Sequence, residues 1–339
     1  MKEMVVYGLM LSILLLGMAS ADQSENNLMP VNLLINVDMV ESPTKEQVFE
    51  AEDNLLNVMS ELQNKKLKAT FSSPYDVIAT RIRLRITEAG RDPNFELAMS
   101  GNNSHEKLSM KSYAEQESIL SRSKQATENA RVCGTNEIVA NGFMPQSFDQ
   151  NQDTYKVMDE LGIQYDAGFQ AGLLYAPGHE NDVWPYQLEG YNFYAVPVST
   201  YILSDKRVPL HDKYFQENGL TSSQWSDALE NKFIEAKEKG EPVVIALTTS
   251  VSGNGDYLDV LKEFLDFAVS KDASFITTLD LVNMSLEEGY MPKTDVNGGC
   301  ATCGQKGEEE GSISVGITAL QSNNTTEAAT ADLNSSSSN

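Results

Sequence analysis

The sequence is poor in histidine, cysteine and positive charge. Its 339 residues include three histidines and three cysteines, and 25 lysines and arginines stand against 49 aspartates and glutamates. The formal charge of −24 repels phosphate backbones and anionic headgroups, which excludes nucleic acid as a partner. His179 and His211 lack a second histidine four residues away, so neither forms a helix-borne ligand pair. Three cysteines cannot all pair within one chain. Cys300 and Cys303 form a CxxC without a second CxxC or a nearby histidine, which favours a disulfide over a structural zinc site. Cys133 reads as a small buried apolar residue.

Long apolar runs are also missing, except at residues 4–18. That run follows Lys2 and precedes Ala19-Ser20-Ala21, the small-residue pattern of a cleaved leader. It is shorter than the roughly 20 residues a membrane span requires. Residues 1–21 are therefore read as a signal peptide, with no membrane span left after its removal, and the protein is expected to be secreted or at the cell surface. Residues 22–295 are enough for one large α/β domain. Residues 296–339 form a Gly/Cys loop followed by a low-complexity tail, too poor in large apolar side chains to offset its ordering entropy. Asn102, Asn283, Asn323, Asn324 and Asn334 each begin an N-x-Ser/Thr acceptor triplet.

The pattern that is present alternates strands and helices. Residues 31–37 are nearly continuously apolar, as in a parallel strand covered on both faces. Thr44 with Gln47, and Ser112 with Glu115, read as capping boxes opening helices. Further strands are expected at 69–71, 95–99, 138–143, 193–198, 243–247 and 274–278, and helices at 153–161, 223–239 and 257–269. Residues 81–86 alternate like a strand, yet Ile78, Ile82 and Ile86 share a helical face; a crossover between parallel strands favours the helix. No internal repeat and no GxGxxG fingerprint occurs.

Five fragments in order carry a resemblance. They are Leu33-Leu-Ile-Asn-Val-Asp38, Lys68-Ala-Thr-Phe71, Glu96-Leu-Ala-Met99, Gly142-Phe-Met-Pro145 and Pro242-Val-Val-Ile-Ala-Leu247. Together the stretch 31–284 resembles the polysaccharide deacetylase, or NodB-homology, family. The resemblance implies an irregular (β/α) barrel of mostly parallel strands with its site at the C-terminal strand ends. It also implies metal-dependent deacetylation of a carbohydrate polymer or glycan, using a divalent metal of the zinc type held by one aspartate and two histidines about a turn apart. Metal binding would bring the pKa of a water from about 15.7 to about 7.

On these positions the chain departs from the pattern. Asp38 is retained as a catalytic base or metal ligand, or alternatively as a carboxylate capping the next turn, but Met39 replaces the second aspartate. Ser100 stands at the first histidine. His105 stands one residue beyond the usual place of the second, and with Asp38 makes two candidate metal ligands. Met144 replaces an arginine and Thr248 a histidine. A lost general acid alone costs about 10²- to 10⁴-fold in rate. Phe143 and Pro145 are expected to line the substrate groove. Trp184 and Tyr186, in an aromatic stretch between Tyr165 and Tyr201, are candidates for stacking on sugar rings, whereas Tyr191 and Phe193 read as core. Two functions follow: a deacetylase with a rearranged metal site, or a catalytically inactive glycan-binding protein that keeps the fold and groove.

Overall fold

A computed structural model of the protein describes residues 28–130 and 138–286. Residues 1–21, expected to be a signal peptide, residues 296–339 with the CxxC, Cys133 and the acceptor triplets beyond 286 lie outside the described residues.

The apolar run becomes β1 (Met29–Asn36), buried at every position. Its place explains that burial. β1 is the hub of a nine-stranded sheet, paired in parallel with β10 (Val243–Thr248), β2 (Ala69–Ser73) and, at its start, β11 (Ala273–Ile276). β3 (Phe95–Met99), β4 (Gly142–Phe143), β5 (Tyr165–Gln170) and β7 (Tyr194–Val198) continue in parallel, and β6 (Tyr186–Gln187) ends that side antiparallel to β7. A hairpin of β8 (Thr200–Leu203) and β9 (Lys206–Pro209) stands apart. Strands β7 and β10 are stitched by loop backbone rather than by a ladder. Ser199 N donates to Val244 O at 2.9 Å, Leu210 N to Ser199 O at 2.7 Å, and Ala246 N to Leu210 O at 3.0 Å. The mostly parallel sheet thus rolls into an irregular (β/α) barrel.

Alternation along β1 separates two cores. Val31, Leu33 and Ile35 pack outward against helix residues Leu55, Val58, Leu229, Phe233 and Leu261. Leu34 faces inward with Ala98, Met144, Ala167, Val196, Val244 and Ala246. The helices that cover the barrel begin where the capping boxes place them. Thr44 opens Lys45–Lys65, with Gln47 N donating to Thr44 Oγ1 at 3.3 Å, and Ser112 N donates to Glu115 Oε2 at 2.9 Å ahead of Tyr113–Glu128. The ambiguous segment is helical, at Tyr75–Ile78 and Arg83–Ala89.

The barrel floor is polar. Glu96 is half-buried there, and its carboxyl accepts from Tyr165 Oη at 2.8 Å, Thr70 Oγ1 at 3.0 Å and Leu279 N at 3.0 Å. The last donor belongs to the first turn of helix Thr278–Leu286, whose N-terminus favours negative charge. Burial nevertheless pushes the Glu96 carboxyl above its usual range. Tyr165 reaches Glu96 only because position 142 is glycine: a Cβ there would lie 1.8 Å from the tyrosine ring.

Strand β4 is shorter than the expected 138–143. The sequence pattern also misses β5, whose Tyr-Asp-Ala-Gly-Phe-Gln run carries a register shift between Asp166 and Phe169. Asp166 turns its carboxylate back on its own strand, accepting from Gly168 N at 2.8 Å.

Candidate active site at the barrel mouth

The C-terminal ends of β1, β2, β3, β4 and β10 bring together Asn36, Asp38, Ser72, Ser100, Met144, Gln146 and Thr248. All are buried.

Asp38 leaves β1 and turns toward the loop after β10. Its Oδ1 accepts from Ser250 N at 2.9 Å and Thr249 Oγ1 at 3.2 Å, and its Oδ2 accepts from Ser250 Oγ at 2.6 Å. Lys213 Nζ lies 3.8 Å from the same oxygen. The carboxylate thus serves the first turn of the short helix Thr249–Ser252, after β10, and not the turn that follows β1 in the chain.

The β3 end is differently built. Ser100 Oγ donates to Met144 O at 2.8 Å and accepts from Gln146 Nε2 at 2.6 Å. Gln146 and Asn36 exchange two bonds: Asn36 Nδ2 donates to Gln146 Oε1 and Gln146 Nε2 to Asn36 Oδ1, both at 3.0 Å. Ser72 Oγ donates to Asn36 Oδ1 at 3.4 Å. Four residues after Ser100, Ser104 is buried and its Oγ accepts from Met39 N at 3.1 Å. The residue turned toward β1 at the usual spacing is therefore Ser104. His105 is exposed, and among the described residues its imidazole makes no hydrogen bond; its backbone N donates to Asn103 Oδ1 at 2.9 Å. Among the described residues the cation beside Asp38 is Lys213, and His105 makes no ion pair with it.

The expected groove residues also scatter. Phe143 points outward into the core formed with Ile119, Val157 and Phe193. Pro145 is buried and starts the turn that carries Gln146. Trp184 is 7% exposed and joins the inward cluster with Met144 and Val196, so it fills the barrel mouth instead of presenting a face. Tyr186 belongs to the outer core; its ring stacks on His179 at 3.8 Å, and Ala176 N donates to its Oη at 3.2 Å.

His211 and Asp212 stand at the mouth beside Thr248. His211 Nε2 is 3.3 Å from Thr248 Oγ1, and Phe148 meets the imidazole edge-on at 5.5 Å. Burial, with the Lys213 charge, depresses the His211 pKa to about 3, so the ring is neutral. Asp212 is fully buried and accepts from Thr248 N at 2.8 Å and Ser252 Oγ at 2.7 Å; burial pushes its pKa up to about 7. Ser147 and Phe148 have φ of 52° and 57°, a conformation that costs non-glycine residues energy.

A catalytic zinc takes three protein donors and an open position. Here Met39, Ser100 and Ser104 supply no charged donor, both hydroxyls are engaged with protein groups, and Asp38 is turned to the Thr249–Ser252 helix. Among the described residues no group of three or more His, Cys, Asp or Glu converges. The residues present do not fit a zinc-type metal.

The fold has known counterparts. A structure described as a polysaccharide deacetylase from Pseudomonas aeruginosa PAO1 superposes with a TM-score of 0.63 at 12% identity, covering 79% of this chain and 94% of that one. A second so described, from Mycobacterium smegmatis, gives 0.59 at 18% identity over 76% and 90% of the two chains. Puue allantoinase gives 0.62 at 12% identity over 78% and 93%. No family model matches the sequence, and no curated protein matches it at the sequence level. The architecture is thus that of the polysaccharide deacetylases, as the five fragments implied. At these identities the likeness is one of fold.

Proposed function

We propose that this chain is an exported carbohydrate-binding protein that has the polysaccharide deacetylase fold and no longer performs metal-dependent deacetylation. One observation carries this reading: Ser100 and Ser104 occupy the places of the two histidines and are hydrogen-bonded to Gln146 and the Met39 backbone. Without a metal, nothing at the mouth lowers the pKa of an attacking water by roughly 9 units. A neutral buried His211 and a hydrogen-bonded Asp38 do not replace it.

Support for a carbohydrate ligand comes from the described activity of the two bacterial counterparts. The leader-like residues 1–21 support export. With Trp184 and Tyr186 buried, aromatic groups that can meet a sugar face at this end include Phe148, partly exposed beside His211, and Tyr175, 37% exposed in the loop after β5. The competing function, deacetylation of a cell-surface or extracellular glycan, rests on retained Asp38.

Binding to an acetylated glycan and release of acetate, measured on the same preparation, separate the two. We expect binding without acetate, weakened about tenfold or more by Phe148→Ala, the scale of losing about 1.4 kcal/mol of stacking. Acetate release that disappears in Asp38→Asn would establish the deacetylase instead, and no glycan binding by the unmutated protein would remove the carbohydrate reading.

A further inference from the structure

We infer that the Asn36, Gln146 and Ser100 side chains form a clamp that takes over the structural task of a metal at the barrel mouth. A metal in such a fold does two things: it supplies chemistry, and it ties together strand ends that have no ladder bonds left. The second task still needs doing here. β4 has only two residues and a single register pair with β3, Met99 to Phe143. The loop that follows it carries two consecutive residues with positive φ. Nothing in regular secondary structure fixes that loop to β1.

The clamp supplies the missing tie. Gln146, 4% exposed, spends its carboxamide on two strand ends at once: both bonds of the amide pair go to Asn36 on β1, and its Nε2 also donates to Ser100 at the end of β3. Ser100 Oγ donates its own hydrogen bond to Met144 O, closing the circuit onto the residue after β4. Each oxygen and nitrogen in the set has a partner. The set is therefore neutral, buried and hydrogen-bonded, the condition under which a polar cluster in a core stabilises rather than costs. No position in it is left for a cation. Gln146 also precedes Ser147 and Phe148, and Asp149 N donates to Gln146 O at 3.0 Å, so the same residue holds the strained turn that sets Phe148 beside His211. Gln146 is a positioning residue for the mouth. The clamp holds whether or not the mouth takes a carbohydrate.

Thermal unfolding tests this directly. Purified full-length protein should melt at the same temperature in chelator, in zinc and in neither. Asn36→Ala and Gln146→Ala should each lower the midpoint by at least about 2 °C, and the double variant should fall by clearly less than the sum, because each single change already breaks the shared pair. Should either alanine variant fail to fold, Ser100→Ala, which removes the two bonds of its hydroxyl and leaves the amide pair, gives a fall that can still be read. A midpoint raised by zinc or lowered by chelator would overturn the clamp. So would additive losses in the double variant, or no loss in either single one.

Discussion

Asp38 ties the end of β1 to the loop after β10. Its carboxylate accepts three bonds from Thr249 and Ser250. Bonds to a charged acceptor are worth about 1.5–3 kcal/mol each, and they share donors in one turn. Asp38→Ala is therefore expected to lower unfolding free energy by about 2–3 kcal/mol in urea titration, with Asp38→Asn losing less. A catalytic Asp38 would show little change in stability in either variant. At the floor, Gly142→Ala would drive a methyl into the Tyr165 ring. Overpacking of that kind costs about 1–3 kcal/mol or more, and the chevron or urea midpoint of the variant should place it at the upper end. Of these residues, Asp38 was visible in the sequence, because a strand end followed by a carboxylate has a recognisable pattern. Gln146 and Asn36 were not. An amide at a strand end carries no signal until a partner over a hundred positions away is known. Ser104 was within reach: it sits four residues past Ser100, but the eye follows the histidine beside it.

At the scale of elements, what was legible depended on periodicity and caps. The strands buried on both faces, β1, β3 and β10, and the helices Lys45–Lys65 and Ser222–Lys239 appear as their apolar spacing predicts. The hairpin of β8 and β9 and the strand β5 did not announce themselves, since polar residues and a register shift interrupt their alternation. Thr44→Ala is expected to cost about 1 kcal/mol, because it leaves Gln47 N without its acceptor. Urea unfolding checks this, and an unchanged midpoint would mean that packing alone sets the start of that helix. The aromatic stretch 165–201 illustrates the limit of composition. Trp184 and Tyr186 read as a sugar platform among eight rings, yet the fold places Trp184 in the inner core and Tyr186 in the outer one.

For the whole molecule, acidity should be stabilising over a window where it usually is not. Burial pushes Asp76 up to about 6, and Asp166 and Asp212 up to about 7, while Glu96 is raised as well. Each binds a proton more tightly folded than unfolded, so each adds stability below the ordinary carboxyl range and loses it as pH rises through its folded value. His211 acts oppositely: with its folded pKa near 3, the unfolded chain takes its proton first below about 6.5. Several raised carboxyls against one depressed imidazole leave the folded state the tighter proton binder between about pH 8 and 5. Melting temperature is expected to rise as pH falls across that range, and Asp212→Asn should flatten its upper part. A maximum at pH 8 would contradict the assignment.

The strand order has a temporal consequence. β1 is among the first segments of the described chain, yet three neighbours flank it, and two of them, β10 and β11, begin at Val243 and Ala273. Val31 pairs with Val243 and Phe275, more than two hundred residues later. Contacts so distant along the chain slow folding. On a ribosome the first strand must wait, with one flank bare, until nearly the whole barrel has been made. The strands β1 to β5 can pair among themselves within residues 29–170, but the flank of β1 that meets β10 and β11 is closed last.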